Sequence, residues 1–217
     1  MESPMMCSWS NRPSTASPRP DAPEVVEHFL QPGEVVFGGR RLRLRTLLGS
    51  CVALVLWHPQ RLLGGMCHYM LPLRRGRDAG DLNGRYAADA LALLLTFIRQ
   101  AEARPEEFVV SVFGGGDMFP SVRRHGGVGI GELNVNAARR LIKAHGLHCE
   151  VYHVGGQGYR SLVFDVANGR LQLNHTDSAP GLPGYCHCPA HAGKIYRGLC
   201  RTSQPGLRDR SPRGPPR

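Results

Sequence analysis

Two side chains in this chain are typed and spaced for covalent chemistry, a cysteine at the mouth of one apolar run and a histidine in the next. Cys51 closes Leu48-Gly49-Ser50-Cys51 and opens the run Val52 to Trp57, while His68 lies in Gly64-Gly65-Met66-Cys67-His68-Tyr69-Met70-Leu71-Pro72. The first run is short and aliphatic or β-branched, with glycine before it and Pro59 after it, and reads as a buried strand. Gly64 to Leu71 reads as its antiparallel partner, joined through a turn over His58 to Leu63. An even number of residues at the turn tip makes paired positions sum to an odd number, so Cys51 and His68 share a face. They stand directly opposite if the sum is 119, or diagonally if residue 53 faces 68.

A thiol is a few per cent ionised near neutral pH, and a neighbouring imidazole can take its proton and later return it to a leaving group. The pair is therefore a candidate nucleophile and base, Cys51 serving as a working thiolate. Spacing alone does not decide this, because cysteine is among the most buried residue types and a strand histidine commonly serves structure. Cys67 adjoins His68 and points to the opposite face, as a small core residue. His58, in the turn, is expected to be exposed to solvent. Ser50 is expected to bond local backbone rather than act as a second nucleophile. Asp117 and Asn134 read as turn and cap residues.

The elements that must hold the pair follow from periodicity. Val25 to Val36 is a weakly patterned lead-in, and Arg41 to Leu48 alternates basic and apolar residues as a half-exposed strand does. Gly76 to Gly84 is a polar surface loop, with Asn83 as cap for an amphipathic helix over Arg85 to Ala103, where Leu91, Leu94, Leu95 and Ile98 recur at helical spacing. Phe108 to Phe113 is another buried strand running into Gly114-Gly115-Gly116, which admits close backbone approach. A second helix follows Gly129-Ile130-Gly131, with Asn134 as N-cap, Val135, Ala138, Leu141 and Ile142 as its stripe, and Gly146 as its stop. Strands over His148 to Val154, Ser161 to Asp165 and Arg170 to Asn174 finish the body, the last two joined by a turn at Asn168-Gly169. Strands outnumber helices, so the domain is α+β and layered, with two main helices over one sheet face. The glycine clusters lack the lysine and the strand-helix setting of phosphate or dinucleotide loops.

The 217 residues suit one domain, at 21–179, with tails at 1–20 and 180–217. Most of the formal charge of +10 lies outside the body: residues 180–217 hold seven basic residues against Asp209, and residues 1–20 hold Arg12 and Arg19 against Glu2. With the basic residues scattered among Gly and Pro and few aromatic residues for stacking, nucleic acid is not the expected partner. No stretch has the length of a membrane span and no apolar core of a secretory signal is present. Seven cysteines without framework spacing fit a reducing, cytoplasmic compartment. A metal-binding alternative rests on His175, Cys186, His187, Cys188, His191 and Cys200, whose spacing is irregular for structural zinc. No metal or organic cofactor is expected.

Taken in order, Thr46 to Ala53, Gly64 to Pro72, Arg85-Tyr86, Val112 to Met118, Ile130 to Asn134 and Gly155-Gly156 resemble the chemoreceptor glutamine deamidase family, CheD, over about residues 34 to 174. The resemblance implies a three-layer α/β/β sandwich of mixed and antiparallel sheets. It implies hydrolysis of particular glutamine side-chain amides on the cytoplasmic helices of methyl-accepting chemotaxis receptors. Carried over by position, Cys51 is the nucleophile, His68 the general base, and Thr46 a third polar group orienting the histidine. One departure is Tyr159 before Arg160, where the family commonly has glycine. On such an amide the thiolate adds to the carbonyl carbon, His68 protonates departing ammonia and then activates water against the thioester. Backbone N–H groups of Gly49 to Cys51 or of Gly114 to Gly116 would meet the oxyanion. Association with other chemotaxis adaptation proteins is also implied, and an adaptor that uses no chemistry is the alternative of another class; it has no need of the Cys51–His68 pair.

Overall fold

The computed structural model describes residues 24–74, 80–119 and 127–176. The tails and the cysteine- and histidine-rich segment from Cys186 to Cys200 lie outside the described residues. Nine strands and two helices run in the order β1 (Val26–Phe29), β2 (Val35–Gly39), β3 (Leu42–Leu48), β4 (Val52–His58), β5 (Leu63–Tyr69), α1 (Ala87–Gln100), β6 (Val109–Gly114), α2 (Ile130–Ala144), β7 (Cys149–Val154), β8 (Tyr159–Asp165) and β9 (Arg170–Thr176). They form a four-stranded sheet, β1-β3-β8-β9, and a five-stranded sheet, β2-β5-β4-β6-β7. Both are mixed, with β1/β3 and β6/β7 parallel and the other pairs antiparallel.

Two apolar layers separate three layers of structure. Leu91, Leu94 and Ile98 of α1 and Val135, Ala138 and Ile142 of α2 pack on one face of the five-stranded sheet, through Leu54, Leu56, Val110 and Val112. The other face of that sheet, through Ala53, Val55, Met66 and Phe113, packs on Leu44, Leu48, Leu162 and Phe164 of the four-stranded sheet. The architecture is the expected α/β/β sandwich. Because β4 is central and covered on both sides, its sequence is a continuous apolar run rather than an alternating one.

Four expectations are corrected. The weakly patterned lead-in contains two strands, β1 and β2, which enter different sheets as edges; half-exposed edge strands carry little alternation for a pattern to show. His58 is not exposed: β4 runs one residue further than expected, and His58 is 3% exposed, its ring edge-on to Phe108 at 5.2 Å. Asn83 does not cap α1, whose cap position is Tyr86; its side chain accepts the Arg85 N–H at 3.1 Å in the turn before the helix. Asn134 is not an N-cap either. The helix starts at Ile130 after Gly129, so Asn134 lies inside α2 and is fully buried. Gly131 is tolerated in that first turn because a Cβ there would meet the Gly115 carbonyl oxygen at 2.5 Å, so helix and glycine loop pack backbone to backbone.

Candidate active site

β3 ends at Leu48 in one sheet and β4 begins at Val52 in the other, so Gly49-Ser50-Cys51 is the chain's crossing between sheets. The β4/β5 register pairs Ala53 with His68, which is the diagonal of the two expected alternatives: Cys51 lies one diagonal step from His68 on the same face. That face belongs to the inter-sheet layer, with Ala53 and Met66. Cys67 points the other way, into the helix-side core, where burial pushes its thiol up to about 12.

His68 is held on every side. Its backbone N–H donates to the Glu34 carbonyl at 3.0 Å and its carbonyl accepts the Gly33 N–H at 2.7 Å, fixing β5 against the turn that precedes β2. Its Nδ1 lies 2.8 Å from the Thr46 hydroxyl, which reaches across from β3 in the opposite sheet. Thr46 Oγ1 donates its single proton to the Leu30 carbonyl at 3.0 Å, so it accepts from Nδ1–H. This accounting leaves Nε2 as the unprotonated nitrogen of the neutral ring, and Nε2 is buried without a hydrogen-bond partner among the described residues. Thr46 is itself 1% exposed. The structure thus holds His68 against Thr46, with Cys51 one diagonal step from His68 on the same face.

Burial lowers the His68 pKa, opposed by the Leu30 carbonyl and by Glu34. Burial also raises that of Cys51, which is half-buried, opposed by its own N–H beside the sulfur. Both shifts favour the neutral forms, thiol and imidazole.

The glycine loop after β6 braces the crossing. Gly114 has φ +110°, and a Cβ there would stand 2.2 Å from the Cys51 carbonyl oxygen. The Gly115 N–H donates to that carbonyl and the Gly116 N–H to the Gly49 carbonyl, each at 2.8 Å. These two donors are therefore committed to the fold, which removes them from the expected sources for an oxyanion. A cleft of about 440 Å³ opens beside the crossing, between Ser50, Gly115, Gly116, the first turn of α2 and Gly155-Gly156. Gly158, with φ +78°, supplies the loop flexibility that the absent glycine at 159 would otherwise give, and Tyr159 already begins β8.

Sequence reasoning missed Asn134. Its Nδ2 donates to the Ser50 carbonyl at 3.0 Å and to the Met70 carbonyl at 2.8 Å, and the Tyr69 hydroxyl donates to its backbone carbonyl at 2.8 Å. The available signal was its helical spacing: Asn134 and Ala138 are four apart, which puts the asparagine on the apolar stripe. Arg160, 1% exposed, donates from Nε to His153 Nδ1 at 2.9 Å and bonds the Gly155 carbonyl, bracing the far wall of the cleft. His175 accompanies it, edge-on to His153 at 5.3 Å and with Nε2 2.8 Å from the Gln157 carbonyl. Among the described residues no group of three or more His, Cys, Asp or Glu is placed to hold a metal ion, and no helix is long and apolar enough to cross a membrane.

A sandwich of two helices and two mixed sheets, with Thr46 bonded to His68 and Cys51 on the His68 face where the chain crosses between sheets, defines the class as an α/β/β fold. The CheD family, described as CheD chemotactic sensory transduction, matches residues 70–175, beginning two residues after His68. The chain is 47% identical over 152 residues to a protein of Pseudomonas fluorescens named probable chemoreceptor glutamine deamidase CheD, covering 70% of this chain and 85% of that one. It is 43% identical to probable chemoreceptor glutamine deamidase CheD 3 of Dechloromonas aromatica, over 69% of this chain and 88% of the relative. At 33% identity it matches probable chemoreceptor glutamine deamidase CheD 1 of Leptospira interrogans, over 70% and 95%. The chain belongs to the CheD family. A solved structure, the Bacillus licheniformis hypothetical protein YfiH, aligns with TM-score 0.36 at 16% identity over 56% of this chain and 51% of that one, a likeness that carries no argument.

Proposed function

We propose that this chain is a chemoreceptor glutamine deamidase acting through Cys51, His68 and Thr46. The observation that carries the mechanism is the state of His68: Nδ1 is held by Thr46, and Nε2 has no partner among the described residues, on a strand face that Cys51 shares one diagonal step away. The names of the relatives support a chemoreceptor glutamine as the substrate, and the same reading puts that glutamine on the cytoplasmic helices of a methyl-accepting chemotaxis receptor. A cytoplasmic location, and contact with other chemotaxis adaptation proteins, belong to the same reading, as does a deamidase domain over residues 21–179.

The step sequence follows from the protonation states. His68 Nε2 takes the Cys51 proton as sulfur adds to the amide carbon, and the carbonyl π electrons move to oxygen. The tetrahedral intermediate collapses, the C–N bond breaks, and imidazolium returns its proton to nitrogen, releasing ammonia. Water, deprotonated by the same nitrogen, adds to the thioester, and the C–S bond breaks to give glutamate and regenerate the thiol. The sum is glutamine plus water to glutamate plus ammonia. Through the Thr46 relay the ring keeps one orientation during both proton transfers, so neither step needs a ring flip.

The test is incubation with a purified receptor cytoplasmic domain followed by peptide mass analysis. The expected result is a gain of about one dalton at particular glutamines, absent in Cys51→Ala, as a thiol nucleophile requires. Equal gains with both enzymes overturn the reading.

A further inference from the structure

Resting on the Cys51–His68 reading, we infer that Asn134 is a positioning residue for the deamidation, holding the Cys51 backbone N–H in place as a donor to the oxyanion. The Asn134 side chain is fully buried inside α2 and donates to two carbonyls that belong to different arms of the site. One is Met70, two residues after His68; the other is Ser50, immediately before Cys51.

The Ser50 carbonyl and the Cys51 N–H are two ends of one planar peptide unit, pointing in opposite directions across a trans bond. Anchoring the carbonyl to Asn134 therefore aims the N–H away from α2's amide. On that other side the Cys51 carbonyl accepts the Gly115 N–H, but the reciprocal bond is missing. At Gly114 and Gly115, with φ +110° and +69°, the chain turns out of the ladder. Among the described residues the Cys51 N–H makes no hydrogen bond to another residue. It is thus a backbone donor at the nucleophile, on the side of Gly115; Cys51 does not itself line the cleft, but Ser50 before it and Gly115 across from it do. With the Gly115 and Gly116 N–H groups spent on carbonyls, the Cys51 N–H is the donor that belongs to the nucleophile's own residue, adjoining the carbon that sulfur would attack. Packing alone does not account for an asparagine here, since its Oδ1 is buried with no partner and an aliphatic side chain would fill the space without that penalty.

The experiment compares two reactions of the same thiol. Asn134→Leu, branched at the same carbon though larger, and without donors or charge, is expected to lower kcat for glutamine deamidation on the order of 10²- to 10³-fold, the effect of losing one oxyanion donor, with KM within about twofold. Alkylation of Cys51 by iodoacetamide forms no oxyanion, and its rate is expected to stay near that of the parent. A kcat left unchanged, or deamidation and alkylation falling together, overturns the inference. If Asn134→Leu does not fold, Asn134→Ser is read by the same criteria. A measurement on the unaltered protein stands beside both: a receptor peptide carrying an aldehyde in place of the glutamine amide adds reversibly to Cys51, and the Cys51 amide proton is expected to shift downfield in the adduct. An unmoved amide proton overturns the inference. Deamidation that survives in Cys51→Ala instead removes the underlying reading, whatever Asn134 does.

Discussion

The hairpin of β4 and β5 carries a histidine near each end, and Cys51, just before β4, lies on the opposite face from Cys67; in the proposed reaction only one of each takes part. At the turn end, His58 lies edge-on to Phe108, with Nε2 3.8 Å from a Glu107 carboxylate oxygen. At the open end, His68 is bonded to a neutral hydroxyl through one nitrogen, and its other nitrogen has no partner among the described residues. Cys67 faces the helix-side core and Cys51 the crossing between sheets. Burial is common to both histidines, so burial does not make the site. What distinguishes His68 is that its orientation is fixed by a group that neither neutralises it nor occupies its second nitrogen.

The cysteines separate the two faces by the largest margin. Cys51→Ala is expected to lower receptor deamidation on the order of 10⁴-fold or more, as loss of a covalent nucleophile does. Cys67→Ala should keep kcat and lose about 1–2 kcal/mol of stability to a small cavity. With its thiol pushed up to about 12, Cys67 should also resist iodoacetamide under native conditions while Cys51 reacts. Peptide mapping after timed alkylation reads both.

The histidines come next. His68→Gln is expected to cost roughly 10²- to 10⁴-fold in kcat, the range for a general base. His58→Gln should leave kcat unchanged and cost about 1–3 kcal/mol of stability for a repacked buried polar group, read as a lower melting temperature. Equal kinetic losses in the two variants would erase the contrast between the ends of the hairpin.

A smaller effect is expected at Thr46. Thr46→Val leaves the Nδ1–H and the Leu30 carbonyl unsatisfied in a buried place, at about 1–3 kcal/mol, which corresponds to roughly 10- to 100-fold in rate if felt at the transition state. Thr46→Ser keeps the hydroxyl and should recover most of the activity.

The smallest effect is in pH dependence. The folded-state pKa of His68 is depressed, so the folded protein binds its proton less readily than the unfolded chain does. Stability from this group is fully present above about 6.5 and is lost as pH falls through the lower folded value. The acid limb of kcat/KM should fall below 6.5 as well, while the alkaline limb, set by Cys51, should lie above the ordinary thiol value. A thiolate absorbance already present at neutral pH would instead indicate a resting ion pair.

Much of this was legible before any coordinates. The apolar runs of β4 and β6, bounded by glycine, could hardly be anything but buried strands, and period-two parity put Cys51 and His68 on one face with Cys67 on the other. The choice between direct and diagonal pairing needed the register, because the hairpin turn proved to start after His58. Edge strands β1 and β2 stayed hidden because Glu27, His28 and Glu34 interrupt any alternation there. Thr46 and His68 lie on different sheets, so local pattern cannot pair them; only the resemblance did. Asn134 was misread because an asparagine ahead of an apolar stripe has the form of a cap. Its partners, Ser50 and Met70, are brought to it by tertiary folding across 84 and 64 residues.

The central claim is a covalent bond between Cys51 sulfur and the substrate's glutamyl carbon. Rapid acid quench of the enzyme with receptor cytoplasmic domain, followed by mass mapping, tests it most directly. The account predicts a thioester adduct on the peptide containing Cys51, forming before glutamate accumulates and lengthened in lifetime by His68→Gln. Glutamate appearing with no adduct at Cys51, and at the same rate in Cys51→Ala, would contradict it.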